Sequence, residues 1–188
     1  MPSDRIERKK NRTREAIKAA AIALATEQDF RMVSLENIAD RADVARGTIY
    51  NLYERKDALL FEIISPLMRK MSERARALVA KGKVPLDGLT GILADAWGED
   101  RGSLGLMLRV RGPEMKALES DHRLVMEAFA SAFDSLAEAP LLRAAGPDAA
   151  ALLLFRVAVP ALEAFDPEGG PGRESFVQGM RGLFLAQL

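Results

Sequence analysis

Ser34-Leu-Glu-Asn-Ile-Ala-Asp-Arg-Ala-Asp-Val-Ala-Arg-Gly-Thr-Ile-Tyr-Asn-Leu-Tyr-Glu-Arg-Lys-Asp-Ala-Leu-Leu60 is the stretch whose reading decides the fold. Ser34 is a natural helix N-cap, because its hydroxyl accepts from an early backbone N–H that has no partner of its own. Val33 and Ile38 take the two positions of a hydrophobic staple around it. The helix it opens is predicted to stop near Ala42. A second short helix follows from about Ala45 to Leu52, separated from the first by Asp43-Val44 alone. Two short helices joined this tightly make a helix-turn-helix.

Outward from this motif the period is helical in both directions. On the N-terminal side Ile17, Ala20, Ala21 and Leu24 fall on one face of a helix predicted over 11–27. On the other side Leu60, Ile63, Ile64, Leu67, Met71, Ala75 and Leu78 mark a helix from Asp57 to Lys81, with Pro66 inside it removing one backbone hydrogen bond. Further helices are predicted at 86–97, 103–111, 114–138, 148–165 and 173–188, with a turn rich in Gly and Pro at 166–172. In the segment 114–138, Met115, Leu118, His122, Met126, Phe129, Phe133 and Leu136 are read as one apolar stripe. No stretch alternates as a strand does. The fold class expected is all-α, about nine helices.

Composition narrows the function. The chain has 188 residues, 27 Lys plus Arg against 27 Asp plus Glu, no Cys and one His, His122. Disulfides, thiol chemistry and Cys or multi-His metal sites are therefore excluded. The longest apolar runs, 19–25 and 149–155, are far shorter than the roughly 20 residues of a spanning helix. The opening residues lack the apolar core of a secretory signal. A soluble cytoplasmic protein with no membrane partner is expected. Charge is uneven: residues 1–18 hold seven bases and three acids, a basic arm on an otherwise acidic body.

A helix-turn-helix sets its second helix in the DNA major groove, with side chains near that helix's start at the base edges. Here they are Arg46, Gly47, Thr48, Tyr50 and Asn51. Arg46 suits a bidentate bond to guanine and Asn51 one to adenine, while Thr48 and Tyr50 suit a thymine methyl or a phosphate. Ser34 with the helix start behind it, and Lys56 ahead of the next helix, are candidate phosphate contacts. The basic arm, Arg12 included, is expected along the DNA backbone or in the minor groove.

Ser34-Leu-Glu-Asn-Ile-Ala39 followed by Val44-Ala-Arg-Gly-Thr-Ile-Tyr-Asn-Leu-Tyr53-Glu-Arg-Lys56-Asp-Ala-Leu-Leu60 resembles the signature of the tetracycline-repressor (TetR) family, over residues 11–60. The remaining residues resemble it only in helix count, length and polarity. The resemblance implies a homodimeric transcriptional regulator, usually a repressor, released from a palindromic operator by a small molecule. This chain departs from the pattern twice. Asp43 stands where the family usually has Gly in the turn, and Ala45 where it usually has a capping Ser. Asp tolerates left-handed backbone better than most residues; the lost cap costs about 1 kcal/mol.

Division into a DNA-binding part, 1–56, and an effector-binding and dimerisation part, 57–188, follows from the motif's end. The resemblance places an effector among the fourth to seventh helices. Residues available there are Trp97, Met107, Arg109, His122, Met126 and Phe129, a mostly apolar set that suits an uncharged or weakly anionic hydrophobic molecule. Small and apolar residues on the last two helices, Ala158, Phe176, Gly179, Met180 and Leu183, suit a two-fold helical seam. No cofactor is implied. An enzyme is not expected, because no nucleophile with a base, phosphate loop or metal cluster can be assembled. The other reading is a DNA-associated helical adaptor that binds a protein partner through its C-terminal part.

Overall fold

The computed structural model describes residues 2–110, 112–136, 144–165 and 172–185. Among them are eight α-helices: α1 (Pro2–Glu27), α2 (Leu35–Arg41), α3 (Arg46–Leu52), α4 (Lys56–Ala80), α5 (Leu86–Arg109), α6 (Glu119–Asp134), α7 (Pro147–Phe165) and α8 (Gly172–Leu185). Tighter 3-10 turns cover Phe30–Met32 and Gly112–Leu118. The all-α expectation holds. The helices expected at 86–97 and 103–111 run together as α5, interrupted at Asp100 (φ −151°, ψ 70°). The helix expected from Glu114 opens as a 3-10 turn and becomes α-helical only at Glu119. Residues 137–138 and 186–188, expected as helix ends, and 166–171 of the expected turn lie outside the described residues.

The first helix corrects an expectation. The basic arm is not a separate extended segment, since α1 already begins at Pro2. Physically this follows from its residues: Pro is tolerated in a first turn, and Arg, Lys and Glu are strong helix formers with no breaker among them.

Contacts divide the chain into two compact units, Met1–Ser65 with Gly102–Glu119, and Pro66–Arg101 with Ser120–Leu188. In the first, α1 packs on α2 and α2 on α3. Ile17, Ala21, Ile38, Ala39 and Ile49 are wholly buried, and Phe30, Leu35, Leu59, Leu60, Leu104 and Leu118 nearly so or wholly. Burying each large apolar side chain stabilises by about 1.5–3 kcal/mol, so this small unit depends on the few that its amphipathic faces supply. Gly102 permits a close approach: a Cβ there would lie 3.1 Å from Ile22 Cδ1.

The second unit is built from the later part of α4, the earlier part of α5, and α6 to α8. Met71, Ala75, Leu89, Leu93, Trp97, Phe133, Leu154, Ala158 and Phe176 are buried in it. Phe129 and Phe155 meet edge to face with ring centres 4.8 Å apart, the arrangement that aromatic quadrupoles favour. The Val84 N–H donates to the Ser135 carbonyl at 3.1 Å, tying the turn after α4 to the end of α6.

Candidate nucleic-acid interface

The helix-turn-helix is held by local chemistry at each joint. Ser34 Oγ accepts from the Asn37 N–H at 3.1 Å, and Asn37 Oδ1 accepts from the Ser34 N–H at 3.0 Å, a reciprocal capping box. Val33 and Ile38, the staple pair, are both buried. In the turn, Asp43 has φ 53°, the one non-glycine residue at positive φ among the described residues. That is the left-handed conformation for which glycine is the usual choice and Asp the tolerated substitute. Ala45 caps α3 without a side-chain hydrogen bond, and only its carbonyl takes part, accepting from the Thr48 N–H at 2.8 Å.

Within α3 the inward side chain is Ile49, wholly buried, and Tyr53 just beyond the helix is also buried. Burial raises the Tyr53 phenol well above its usual range, with the nearby Glu62 adding to the effect. Arg46, Gly47, Tyr50 and Asn51 are exposed, and Thr48 is half-buried. They form one outward face, since positions i, i+1, i+4 and i+5 share a side of a helix. No atom lies within 4 Å of where a Gly47 Cβ would stand, so that part of the face is open. Two of the outward side chains reach back to α2. The Tyr50 hydroxyl donates to Glu36 Oε1, and Arg46 Nη2 lies 3.9 Å from Asp40 Oδ2. The Tyr50 bond, with the Glu36 backbone N–H behind it, holds the Glu36 carboxyl below its usual range, and Glu36 in turn raises the Tyr50 phenol.

Lys56 is placed differently from the phosphate contact expected of it. Its ammonium donates to the carbonyls of Phe30 at 2.9 Å, Val33 at 3.0 Å and Arg31 at 3.4 Å. It also lies 4.8 Å from the centre of the Phe30 ring and 3.5 Å from Glu114 Oε1. A lysine has three protons to donate, and here all face inward. Lys56 therefore fastens the segment ahead of Ser34 to the start of α4. Arg12 is exposed on α1, whereas Arg14 and Lys18 of the same basic run pair with Glu62 at 3.9 and 3.1 Å.

The residues expected around an effector fall in both compact units. Met107 and Arg109 belong to the first, Trp97, His122, Met126 and Phe129 to the second. Arg109 donates to the Gly105 carbonyl at 3.0 Å and, with Leu108, lines an open depression beside residues 25–31. Trp97 and Phe129 are buried and Met126 is half-buried. His122 is exposed, which corrects the stripe drawn through it. The inward row of α6 passes through Asp121, Val125, Ala128, Phe129, Ala132 and Phe133. Asp121 is 3% exposed and accepts from Arg69 Nε at 3.1 Å. Reading by residue type skips a charged side chain on an apolar face, and the partner that makes its burial tolerable lies 52 residues away.

The expected seam residues also divide. Ala158, Phe176 and Met180 are buried within the chain's own core, so they are packing residues of α7 and α8. Gly179 and Leu183 are exposed on α8, and on α7 the neighbouring outward residues are Leu152 and Leu153, 49% and 45% exposed. Among the described residues no helix is long and apolar enough to cross a membrane, and no group of three or more His, Asp or Glu is placed to hold a metal ion.

Residues 17–63 match the family model described as bacterial regulatory proteins, tetR family. Several solved structures share the fold. The MbdR regulator from Azoarcus sp. CIB superposes with a TM-score of 0.63 at 16% identity, over 94% of this chain and 98% of that one. NalD, the secondary repressor of the MexAB-OprM multidrug efflux pump in Pseudomonas aeruginosa, gives 0.57 at 20% identity, over 95% and 98%. Thermus thermophilus FadR, a transcriptional repressor solved with lauroyl-CoA, gives 0.52 at 22% identity, over 93% and 95%. No curated relative matches the chain by sequence.

Proposed function

We propose that this chain, a tetR-family regulator through its N-terminal helix-turn-helix, is a homodimeric, cytoplasmic repressor that leaves its operator when a small, mostly apolar effector binds. The outward face of α3 carries the reading. Arg46, Gly47, Tyr50 and Asn51 lie exposed on a helix whose opposite side is locked into the core by Ile49, and the family model covers these positions. Ser34, Thr48 and Arg12 flank that face as phosphate contacts, while Lys56 supports it from behind. The effector reading is supported by apolar Trp97, Met126 and Phe129 in the second unit and by the lauroyl-CoA bound to the Thermus structure.

Selection of bound sequences from a random duplex library tests the reading. It is expected to return an inverted repeat whose half-sites are centred about one helical turn, roughly 34–36 Å, apart or somewhat more. Repeating the selection with Arg46→Ala should lower affinity by about 1–3 kcal/mol and relax base choice at one position in each half-site. An unchanged base preference would remove Arg46 from the reading face.

Switching has its own test. The division between the two units falls between Ser65 and Pro66, inside α4. Pro66 contributes no N–H to the helix ladder, so Pro66→Ala restores one hydrogen bond at that point. Operator titrations with and without saturating effector, with lauroyl-CoA as the first compound tried, should show the coupling free energy altered by roughly 0.5–2 kcal/mol. An identical ratio of the two affinities in both proteins would show that α4 does not carry the signal through Pro66.

A further inference from the structure

α2 carries two carboxylates one turn apart, Glu36 and Asp40, and α3 carries two donors one turn apart, Arg46 and Tyr50. Positions four apart lie one above the other on a helix, so the two rows meet: Glu36 accepts from the Tyr50 hydroxyl and Asp40 lies 3.9 Å from the Arg46 guanidinium. We propose that Glu36 and Asp40 are intramolecular stand-ins for DNA phosphate, occupying the two strongest donors of the reading face and thereby holding down affinity for DNA of any sequence. This inference rests on the DNA-binding reading above.

A carboxylate and a phosphate offer a phenol or a guanidinium the same kind of partner, an anionic oxygen acceptor. On a duplex that offers only phosphates at these positions, Arg46 and Tyr50 would exchange one anion for another, so the exchange gains little and both donors stay on α2. A guanine edge offers Arg46 two aligned acceptors, whereas the contact with Asp40, at 3.9 Å and with both side chains about two-thirds exposed, is a loose one. The base contact therefore exceeds what is given up. The depressed Glu36 carboxyl and raised Tyr50 phenol mark the second contact as the tighter of the two. A regulator that must find one site among the many in a genome benefits from weak general affinity.

The test uses the full-length protein and a short random-sequence duplex, with binding followed by fluorescence anisotropy over a salt series. Glu36→Gln and Asp40→Asn should each tighten binding about three- to tenfold by freeing a donor, and Asp40→Asn should also steepen the salt dependence, because the donor it frees is a cation that can neutralise one more phosphate. In a Tyr50→Phe background the gain from Glu36→Gln should shrink, since there is no hydroxyl to release. An equal gain in both backgrounds would mean simple charge repulsion, and no gain would mean no competition; either result overturns the proposal. A second measurement avoids dependence on the variants' folding. The chain has two tyrosines, Tyr50 and Tyr53, so ring-labelled tyrosine gives two NMR signals. Random duplex bound by the wild type should move the signal of exposed Tyr50 little, whereas the selected operator should shift it, and neither should move that of buried Tyr53; a Tyr50 signal that moves as far on random duplex as on operator, or on neither, would overturn the proposal. Should the wild type show no salt-dependent duplex binding at all, the DNA-binding reading falls first and this inference with it.

Discussion

Lys56→Ala is expected to destabilise the folded chain by about 3 kcal/mol, lowering its thermal midpoint by roughly 6–12 °C, the shift for a protein of this length. The side chain is 18% exposed and its partner Glu114 is 13% exposed, so the pair is largely withdrawn from water. Truncation removes the ammonium from the Phe30, Arg31 and Val33 carbonyls and leaves the Glu114 carboxylate without its cation. Breaking a buried pair on one side costs about 3–5 kcal/mol, and the partial exposure here argues for the lower end. The Phe30 carbonyl keeps one bond, from the Val33 N–H at 3.1 Å, which also moderates the loss. Adding Glu114→Gln should restore part of the stability by removing the uncompensated charge. Circular dichroism melts of the two single variants and the double variant check this. A phosphate-contacting Lys56 would behave in the opposite way, with an unchanged midpoint and a reduced salt slope of DNA binding.

What the sequence made legible, and what it hid, follows from how far apart the deciding atoms are. The helix-turn-helix could be read because its determinants are neighbours: Ser34 with Asn37, Val33 with Ile38, and Asp43 at the one turn position that needs positive φ. Lys56 could be read as a cation ahead of a helix. Its acceptors, however, are carbonyls 23 to 26 residues earlier, and no local pattern marks a carbonyl as waiting for a donor. The same holds for α6, where the buried position belongs to Asp121 rather than His122 because Arg69 meets it there. α7 hid its inner face for another reason. From 149 to 155 every residue is apolar, so periodicity could not separate Ala150, Ala151 and Leu154, which are buried, from Leu152 and Leu153, which are exposed.

The outward side of α8, with Gly179 and Gly182 exposed on it, bears on self-association. Gly179→Leu combined with Gly182→Leu is expected to weaken self-association about a thousandfold or more while leaving the monomer as stable as before or more so. A Cβ at either glycine would meet no atom within 4 Å, so neither substitution crowds the chain's own core. Replacing helical Gly by Leu removes a propensity penalty of up to about 1 kcal/mol per site, which favours the folded monomer. Across a two-fold seam the balance reverses. Gly179 and Gly182 share the outer side of α8 with Leu183, which is 57% exposed, and side chains inserted where two helix backbones approach must push them apart. Overpacking costs about 1–3 kcal/mol per site. Two sites in each of two chains make four insertions, so even the lower figure gives about 4 kcal/mol, or three orders of magnitude in Kd. Sedimentation over a concentration series measures the association, and thermal melts at concentrations where the variant is monomeric measure the fold. Opposite signs in the two experiments are the expected signature of an intermolecular seam. A dimer undiminished by the substitutions would place its contact away from this face of α8, and a loss in both experiments would mean that the two glycines serve the chain's own packing.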